Sequence, residues 1–438
     1  MRLVTTAEMR ALERGVFARG ITEAQLMQRA GTAVGRAAGE WLAARGGERL
    51  LVLVGKGNNG GDALIAARVL ADEFGLQPKL YLAADRGDDP LLAWARERGV
   101  PVAIHPPAPE AGAPAADQEA PEAQRLQTLR EWLAEAAVVL DGILGIGGRL
   151  PLQGALAEIL AVCAEVYPRG QRRIAVDVPT GVQSDTGQAD DRAFRAHLTL
   201  ATGPAKPGLF LYPGAACAGR VQPLDIGLHE ADAPATLWRT EAADVAQMLP
   251  ARPDDSHKGT FGKVLVVGAS ERYIGAAYLA GAAAVRAGAG LVSLAVPVHA
   301  QAALASRSAE TTFLPLPEDP AAPACLTPGH LGALLDAAAQ YDALAIGPGL
   351  GAHPLTRRLV LLLLEHLARA HGGREAPPVV IDADGLNALA GEEQWPRPEQ
   401  ARWVLTPHPG EMSRLTGRAT PEIQADRIGI ARAYARRW

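Results

Sequence analysis

Three stretches in the first half of the chain carry groups able to do chemistry on a small phosphate-bearing molecule. They are Gly55-Lys56-Gly57-Asn58-Asn59-Gly60-Gly61-Asp62, Asp141 followed by Gly145-Ile146-Gly147-Gly148-Arg149-Leu150-Pro151, and Asp177 followed by Thr180. Glycines at a helix start let backbone N–H groups approach phosphate oxygens, and Gly55, Gly57 and Gly60 also satisfy G-x-G-x-x-G. Arg149 offers a fork of donors that matches phosphate oxygens. A positioned carboxylate such as Asp177 can take up and return a proton. Oxygens of Asn59, Asp141 and Thr180, if they converge, suit a hard cation rather than zinc or copper. Each stretch has a plainer reading beside this one: a tight strand-to-helix turn, a carboxylate capping the next element, a solvated arginine.

The second half has its own set. His257-Lys258-Gly259-Thr260-Phe261-Gly262-Lys263 precedes an apolar run, Gly268-Ala269-Ser270 ends it, and Gly275-Ala276-Ala277 opens a small-residue helix. Gly347-Pro348-Gly349-Leu350-Gly351, Asp382-Ala383-Asp384-Gly385-Leu386-Asn387 and Thr406-Pro407-His408-Pro409-Gly410-Glu411 each follow a strand-like run. His408 has no second histidine at ligand spacing, so a hydrogen-bonded or substrate-contacting ring is expected rather than a zinc ligand. For Asp382 and Asp384 the alternative is turn formation before Gly385.

What must position these groups is a set of buried strands. Leu50–Val54, Lys79–Ala83, Val100–Ile104, Val138–Leu144 and Ile174–Val178 are near-continuous apolar runs separated by helical stretches, the pattern of a doubly wound parallel α/β sheet. In such a sheet the carboxyl ends of the strands border the ligand crevice, so Asp141 and Asp177 should face one cleft. Thr5-x-x-Glu8 and Thr22-x-x-Gln25 are capping boxes that predict two helices ahead of the first strand. A second series, Val264–Val267, Leu291–Val296, Ala343–Ile346, Val379–Ile381 and Trp403–Leu405, follows a polar, proline-bearing break at 228–253, which puts the expected domains at 1–240 and 241–438. Residues 106–121, rich in Ala and Pro, read as a surface insertion.

Composition narrows the function classes. A formal net charge of −5 with no run of like charges leaves no footprint for nucleic acid or an anionic membrane, and nowhere do 18 apolar residues run together. Cys163, Cys217 and Cys325 form no pairing motif, so a reducing, cytoplasmic setting is expected. Only five of the 43 basic residues are lysines, and Lys56, Lys206, Lys258 and Lys263 all fall in glycine-containing motif segments, as if those sites want a compact ammonium.

GKGNNGGDALIAARVL, LDGILGIGGRLP and IAVDVPTGVQSDTG together resemble the NAD(P)H-hydrate epimerase domain of bifunctional metabolite-repair enzymes. HKGTFGKVLVVGAS, GAGLVSLAVP, IGPGLG, VIDADGLNAL and LTPHPGEM resemble, in order, the ADP-dependent NAD(P)H-hydrate dehydratase that follows it in that family. The resemblance implies a Rossmann-like epimerase fold followed by a ribokinase-like α/β domain. It implies a hydrated nicotinamide dinucleotide as substrate, contacted by Asn58 to Asp62, Gly145 to Pro151 and Asp177, with Asp177 at the reacting centre. Potassium would be held by Asn59, Asp141 and Thr180, the last standing where serine is commoner. In the second domain Ala276, Gly349 and His408 would touch the hydrate, with ADP, and magnesium as a further candidate, as cofactors. A homo-oligomer is expected.

The family's later lysine segment and GTGD-like loop have no counterpart before Trp438. The second domain is therefore expected to lack its C-terminal part, to lack dehydratase activity and to leave one sheet edge uncovered. Three rivals use the same residues differently: a nicotinamide-dependent dehydrogenase with Asp85 on the ribose, a ribokinase-like sugar or vitamin kinase, and a non-catalytic nucleotide-binding scaffold.

Overall fold

Alternation within the apolar runs decides how the layers stack. In the strand Arg49–Val54 (β2), Leu50, Val52 and Val54 pack into a buried cluster with Val34, Leu42, Leu64 and Leu70, while Leu51 and Leu53 pack on the other face with Leu129, Leu133, Leu160 and Cys163. Period-two strand geometry thus buries both faces under helices, as parallel sheets require. A computed structural model describes residues 1–44, 46–106, 126–229, 236–320, 322–369, 377–392 and 402–438. The chain divides into two compact units, Met1–Leu249 and Pro250–Trp438.

The first unit holds a seven-stranded parallel sheet. Besides β2 it contains Gln77–Leu82 (β3), Val102–Ile104 (β4), Val138–Gly142 (β5), Arg172–Val176 (β6), Leu198–Thr202 (β7) and Arg220–Leu224 (β8), in the order β4-β3-β2-β5-β6-β7-β8. After β4 the chain crosses to the far side of β2, so the strand order reverses between β2 and β5 and a crevice opens at their carboxyl ends. A short antiparallel ribbon of Arg2–Leu3 (β1) with Leu237–Trp238 (β9) lies outside the sheet.

Two helices precede β2, each closed by its predicted capping box. Glu8 N donates to Thr5 Oγ1 at 3.3 Å and Thr5 N donates to Glu8 Oε2 at 2.7 Å at the start of Thr6–Ala18 (α1). Thr22 and Gln25 do the same for Glu23–Ala43 (α2). Asn58–Phe74 (α3) follows β2 directly. Along α2, Gly31, Gly35 and Gly39 recur every fourth residue and face α3 so closely that a Cβ on each would lie 2.5 Å from Ile65 Cβ, 2.7 Å from Val69 Cβ and 2.4 Å from Phe74 Cδ2.

Strands β7 and β8 were not among the sequence-predicted runs. In β7 two threonines interrupt the apolar pattern, and β8 is an edge strand with Pro223, the one sheet position where a missing N–H does little harm. Residues 107–121 of the predicted insertion lie outside the described residues.

In the second unit six parallel strands, Lys263–Val267 (β10), Leu291–Pro297 (β11), Thr312–Leu316 (β12), Ala343–Ile346 (β13), Val379–Ile381 (β14) and Trp403–Leu405 (β15), run in the order β12-β11-β10-β13-β14-β15. Pro315 hid β12 from the sequence pattern; it too is an edge strand. The reversal point here lies between β10 and β13.

Candidate active site

The reversal point of the first sheet carries a cavity of about 650 Å³. Gly55 follows β2 and must be glycine, because a Cβ there would sit 1.8 Å from the carbonyl oxygen of Ile143 after β5. That close approach brings the glycine bend and the Ile143–Gly147 loop to one mouth. Gly55 to Asn59, Asp62, Ile143 to Gly147, Asp177 and Thr202 line it, with Met9, Arg10 and Glu13 reaching in from α1.

Asp177 sits immediately after β6 with φ of 64°, a left-handed conformation that costs an L-residue about 1 kcal/mol or more and that asparagine and aspartate tolerate best. The twist aims the carboxyl group into the cavity mouth. Its Oδ1 accepts from Thr202 N at 3.2 Å, Thr202 Oγ1 at 2.9 Å and Lys206 Nζ at 2.5 Å. Oδ2 points the other way, 3.2 Å from where a Cβ on Gly145 would stand, a place Asn59 Oδ1 also approaches at 3.3 Å. Glycine at 145 therefore leaves the second carboxylate oxygen open toward the cavity.

Lys206 is wholly buried, and its ammonium also donates to the Thr202 carbonyl oxygen at 3.1 Å. A buried ammonium is tolerated only with such partners.

Two more carboxyl groups share the space. Asp62, in the second turn of α3, is 9% exposed, and burial pushes it well above the usual carboxylate range; Asp177 and Glu13 push the same way and Lys206 opposes. Glu13 is also raised, chiefly by burial.

Asp141, near the end of β5, and Thr180, in the loop after β6, are fully buried and bind each other. Thr180 Oγ1 donates to Asp141 Oδ1 at 2.7 Å, Thr180 N donates to Oδ2 at 2.8 Å, and Ile143 N donates to Oδ1 at 3.2 Å. Leu144 N in turn donates to Thr180 Oγ1 at 3.0 Å. Burial raises the Asp141 carboxyl to about 6, against these hydrogen bonds. Asn59 carries a buried side-chain amide nitrogen with no hydrogen-bond partner. Exchanging the two amide atoms would point an oxygen into that space, where only a cation or a donor could satisfy it. The available donors of Asn59, Asp141 and Thr180 are all oxygens and include one carboxylate, a set that fits a monovalent hard cation. Among the described residues no group of three or more His, Cys, Asp or Glu side chains could hold a metal ion.

Several predicted contacts lie off this lining. Gly60 and Gly61 are buried packing positions against the Gly55 carbonyl oxygen and Met27, and Gly148, Arg149, Leu150 and Pro151 run on beyond the cavity, with Arg149 exposed. Asn58 lines the mouth and donates to Glu23 Oε1 at 2.6 Å. Glu13, Thr202 and the pairing of Lys206 with Asp177 were not read from the sequence as parts of one site; the scarcity of lysine was the only signal.

In the second unit Gly349 has φ of +73°, and a Cβ there would lie 3.0 Å from Ala276 Cβ, so these two predicted contacts meet at the β10/β13 reversal point. Beside them Ser270 Oγ is buried without a partner. His408 stands apart, after β15: its Nδ1 accepts from Gly410 N at 3.0 Å and Glu411 N at 3.3 Å, capping the helix Pro409–Thr416, and its side chain is 62% exposed. Asp384 accepts from Gly351 N at 2.8 Å and from Asn387 Nδ2 at 3.1 Å, and Thr406 Oγ1 donates to Asp382 at 2.7 Å, so both aspartates tie neighbouring loops.

Sequence comparison agrees with this two-part layout. A family profile described as YjeF-related protein N-terminus matches residues 23–208, and one described as NAD(P)H-hydrate dehydratase matches residues 264–438. The bifunctional NAD(P)H-hydrate repair enzyme of Moorella thermoacetica is 36% identical over 100% of this chain and 79% of its own length. Its counterpart in Thermofilum pendens is 33% identical over 98% of this chain and 77% of its own length. A solved ADP/ATP-dependent NAD(P)H-hydrate dehydratase of Bacillus subtilis is 30% identical over 44% of this chain and 61% of that one, at a TM-score of 0.33. On the full-length match and the paired domain profiles, the chain belongs to the family of bifunctional NAD(P)H-hydrate repair enzymes.

Proposed function

We propose that the first unit epimerises the R and S hydrates of NADH and NADPH, and that the second binds the S hydrate that ADP-dependent dehydration consumes. The observation that carries the first half of this reading is Asp177: a buried carboxylate, charge-compensated by Lys206 through one oxygen, with the other oxygen open to a cavity large enough for a nicotinamide ring. Water adds to the reduced ring so that the hydroxyl sits on a carbon bonded to the ring nitrogen. Inverting that carbon needs one of its bonds to break and re-form: Asp177 Oδ2 takes the hydroxyl proton as the carbon–nitrogen bond opens to an aldehyde with the electron pair left on the ring nitrogen, and returns the proton when the nitrogen re-adds to the other face. Asp62, whose proton burial favours, lies in the same space.

A potassium ion held by Asn59, Asp141 and Thr180 would supply positive charge beside the loop that lines the cavity. Asp141 and Thr180 meanwhile fasten the loops after β5 and β6 to each other. For the second unit, Ala276 and Gly349 at the reversal point, with His408, are the proposed contacts of the hydrate.

The test is an epimer-resolving chromatographic assay of the full chain in potassium buffer. Asp177→Asn, assayed at a temperature where circular dichroism shows it folded, should lose at least a hundredfold in epimerisation rate; near-normal turnover would overturn the assignment. Adding ADP to the same assay reads dehydration of the S hydrate directly.

A further inference from the structure

The loop after β3 holds an arginine that no motif singled out. Arg86 side chain is 9% exposed, its Nε donates to Asp89 Oδ2 at 2.6 Å, and its Nη1 donates to the carbonyl oxygens of Gly55 and, at 3.3 Å, Gly57. Asp89 is fixed in turn, because Leu91 N donates to its other carboxylate oxygen at 2.9 Å. A trans peptide points its C=O and N–H in opposite directions. With the Gly55 carbonyl turned to Arg86, and that of Gly57 shared between Arg86 and the Gly60 and Gly61 N–H groups at 3.1 and 3.3 Å, the N–H groups of Lys56 and Asn58 turn away from it, and among the described residues neither donates to a protein acceptor. Lys56, Gly57 and Asn58 line the cavity, whereas Arg86 does not. Nor can the bend relax freely: a Cβ on Gly60 would lie 2.0 Å from the Gly55 carbonyl oxygen and 2.8 Å from Arg86 Nη1.

We propose that Arg86 is a positioning residue of the first unit's site: by gathering the carbonyls of the glycine bend on its guanidinium, it presents the Lys56 and Asn58 amides to an anionic oxygen of the substrate, the phosphate class that a dinucleotide carries. A fork of donors suits two carbonyls at once, which a lysine cannot reproduce. The inference rests on the epimerase reading for its substrate, but its geometric core does not.

Two measurements on the full chain separate the two. Hydrogen exchange needs no activity: Arg86→Met should speed exchange of the Gly55 and Gly60 amides, which donate to the Gly142 and Gly57 carbonyl oxygens, at least tenfold relative to those in the middle of α3, with Arg86→Lys in between. Kinetics with the hydrates should then show KM rising about tenfold or more in Arg86→Met with kcat changed by less than about threefold. Arg86→Gly should recover part of its KM when methylguanidinium is added. Unchanged exchange at Gly55 and Gly60 overturns the proposal even if the enzyme epimerises. So does a fall in kcat at constant KM. Altered exchange in a protein that does not epimerise at all would uphold the positioning and overturn the epimerase reading instead.

Discussion

Lys206→Met should be among the most damaging single changes near the cavity, and the reason can be put in numbers. The Lys206 and Asp177 side chains are 0% and 8% exposed and 2.5 Å apart. Removing one partner of a buried pair costs about 3–5 kcal/mol, because the other charge stays buried without compensation. Thr202 still gives Asp177 two hydrogen bonds, so the lower end, about 3 kcal/mol, is expected for Lys206→Met. Against a typical total of about 5–15 kcal/mol that is a large share. Asp177→Asn strands the ammonium in the same way. In the double variant neither charge remains, and the cost should fall to about 1–2 kcal/mol, giving a coupling of about 3 kcal/mol or more. Urea titration of the single and double variants, followed by hydrogen exchange of peptides from β5 to β7, reads all four corners. Additive losses would refute the idea that the two charges exist for one another.

A pH effect follows from Asp141. Its carboxyl is raised to about 6 by burial, so between about pH 4 and pH 6 the folded chain keeps a proton that the unfolded chain releases. Stability contributed by that proton is full below about pH 4 and lost as pH rises through 6, by about 3 kcal/mol. Glu13 and Asp62 act in the same sense. Melting midpoints in tetramethylammonium buffer should therefore fall across this window, and potassium should restore them at pH 7.5; equal midpoints in both salts at that pH would remove the cation from the site. Ala383, with φ of 47° and ψ of −117°, holds a backbone shape fit for glycine. Ala383→Gly should raise the melting midpoint of the second unit by about 2–4 °C in calorimetry, worth about 1 kcal/mol, and a clear drop would contradict the strain.

The parts of this molecule that a sequence discloses are those encoded locally. Both capping boxes, five strands of each sheet and the three glycine or aspartate stretches of the first site were legible because each depends on near neighbours. Strands β8 and β12 were not, since their prolines argue against a strand unless the reader knows they lie at an edge. Neither was the route of Lys206 to Asp177, 29 residues away, or that of Glu13, whose helix is brought to the cavity by tertiary packing rather than by sequence neighbours. Arg149 failed to reach the lining for the converse reason: the motif was continuous, but the loop turns outward after Gly147.

The glycine row on α2 has a consequence for how damage to this protein should be interpreted. Asn59 and Asp62 owe their stations to a neighbour that comes nearer than any side chain would permit, so what registers the chemistry is a missing set of atoms on a helix face that never meets the coenzyme. A single methyl group at Gly35 would lever the whole of α3 outward and detune the carboxyl cluster from a distance. Inactivating substitutions in this family can thus cluster far from any reacting atom without implying a second binding place.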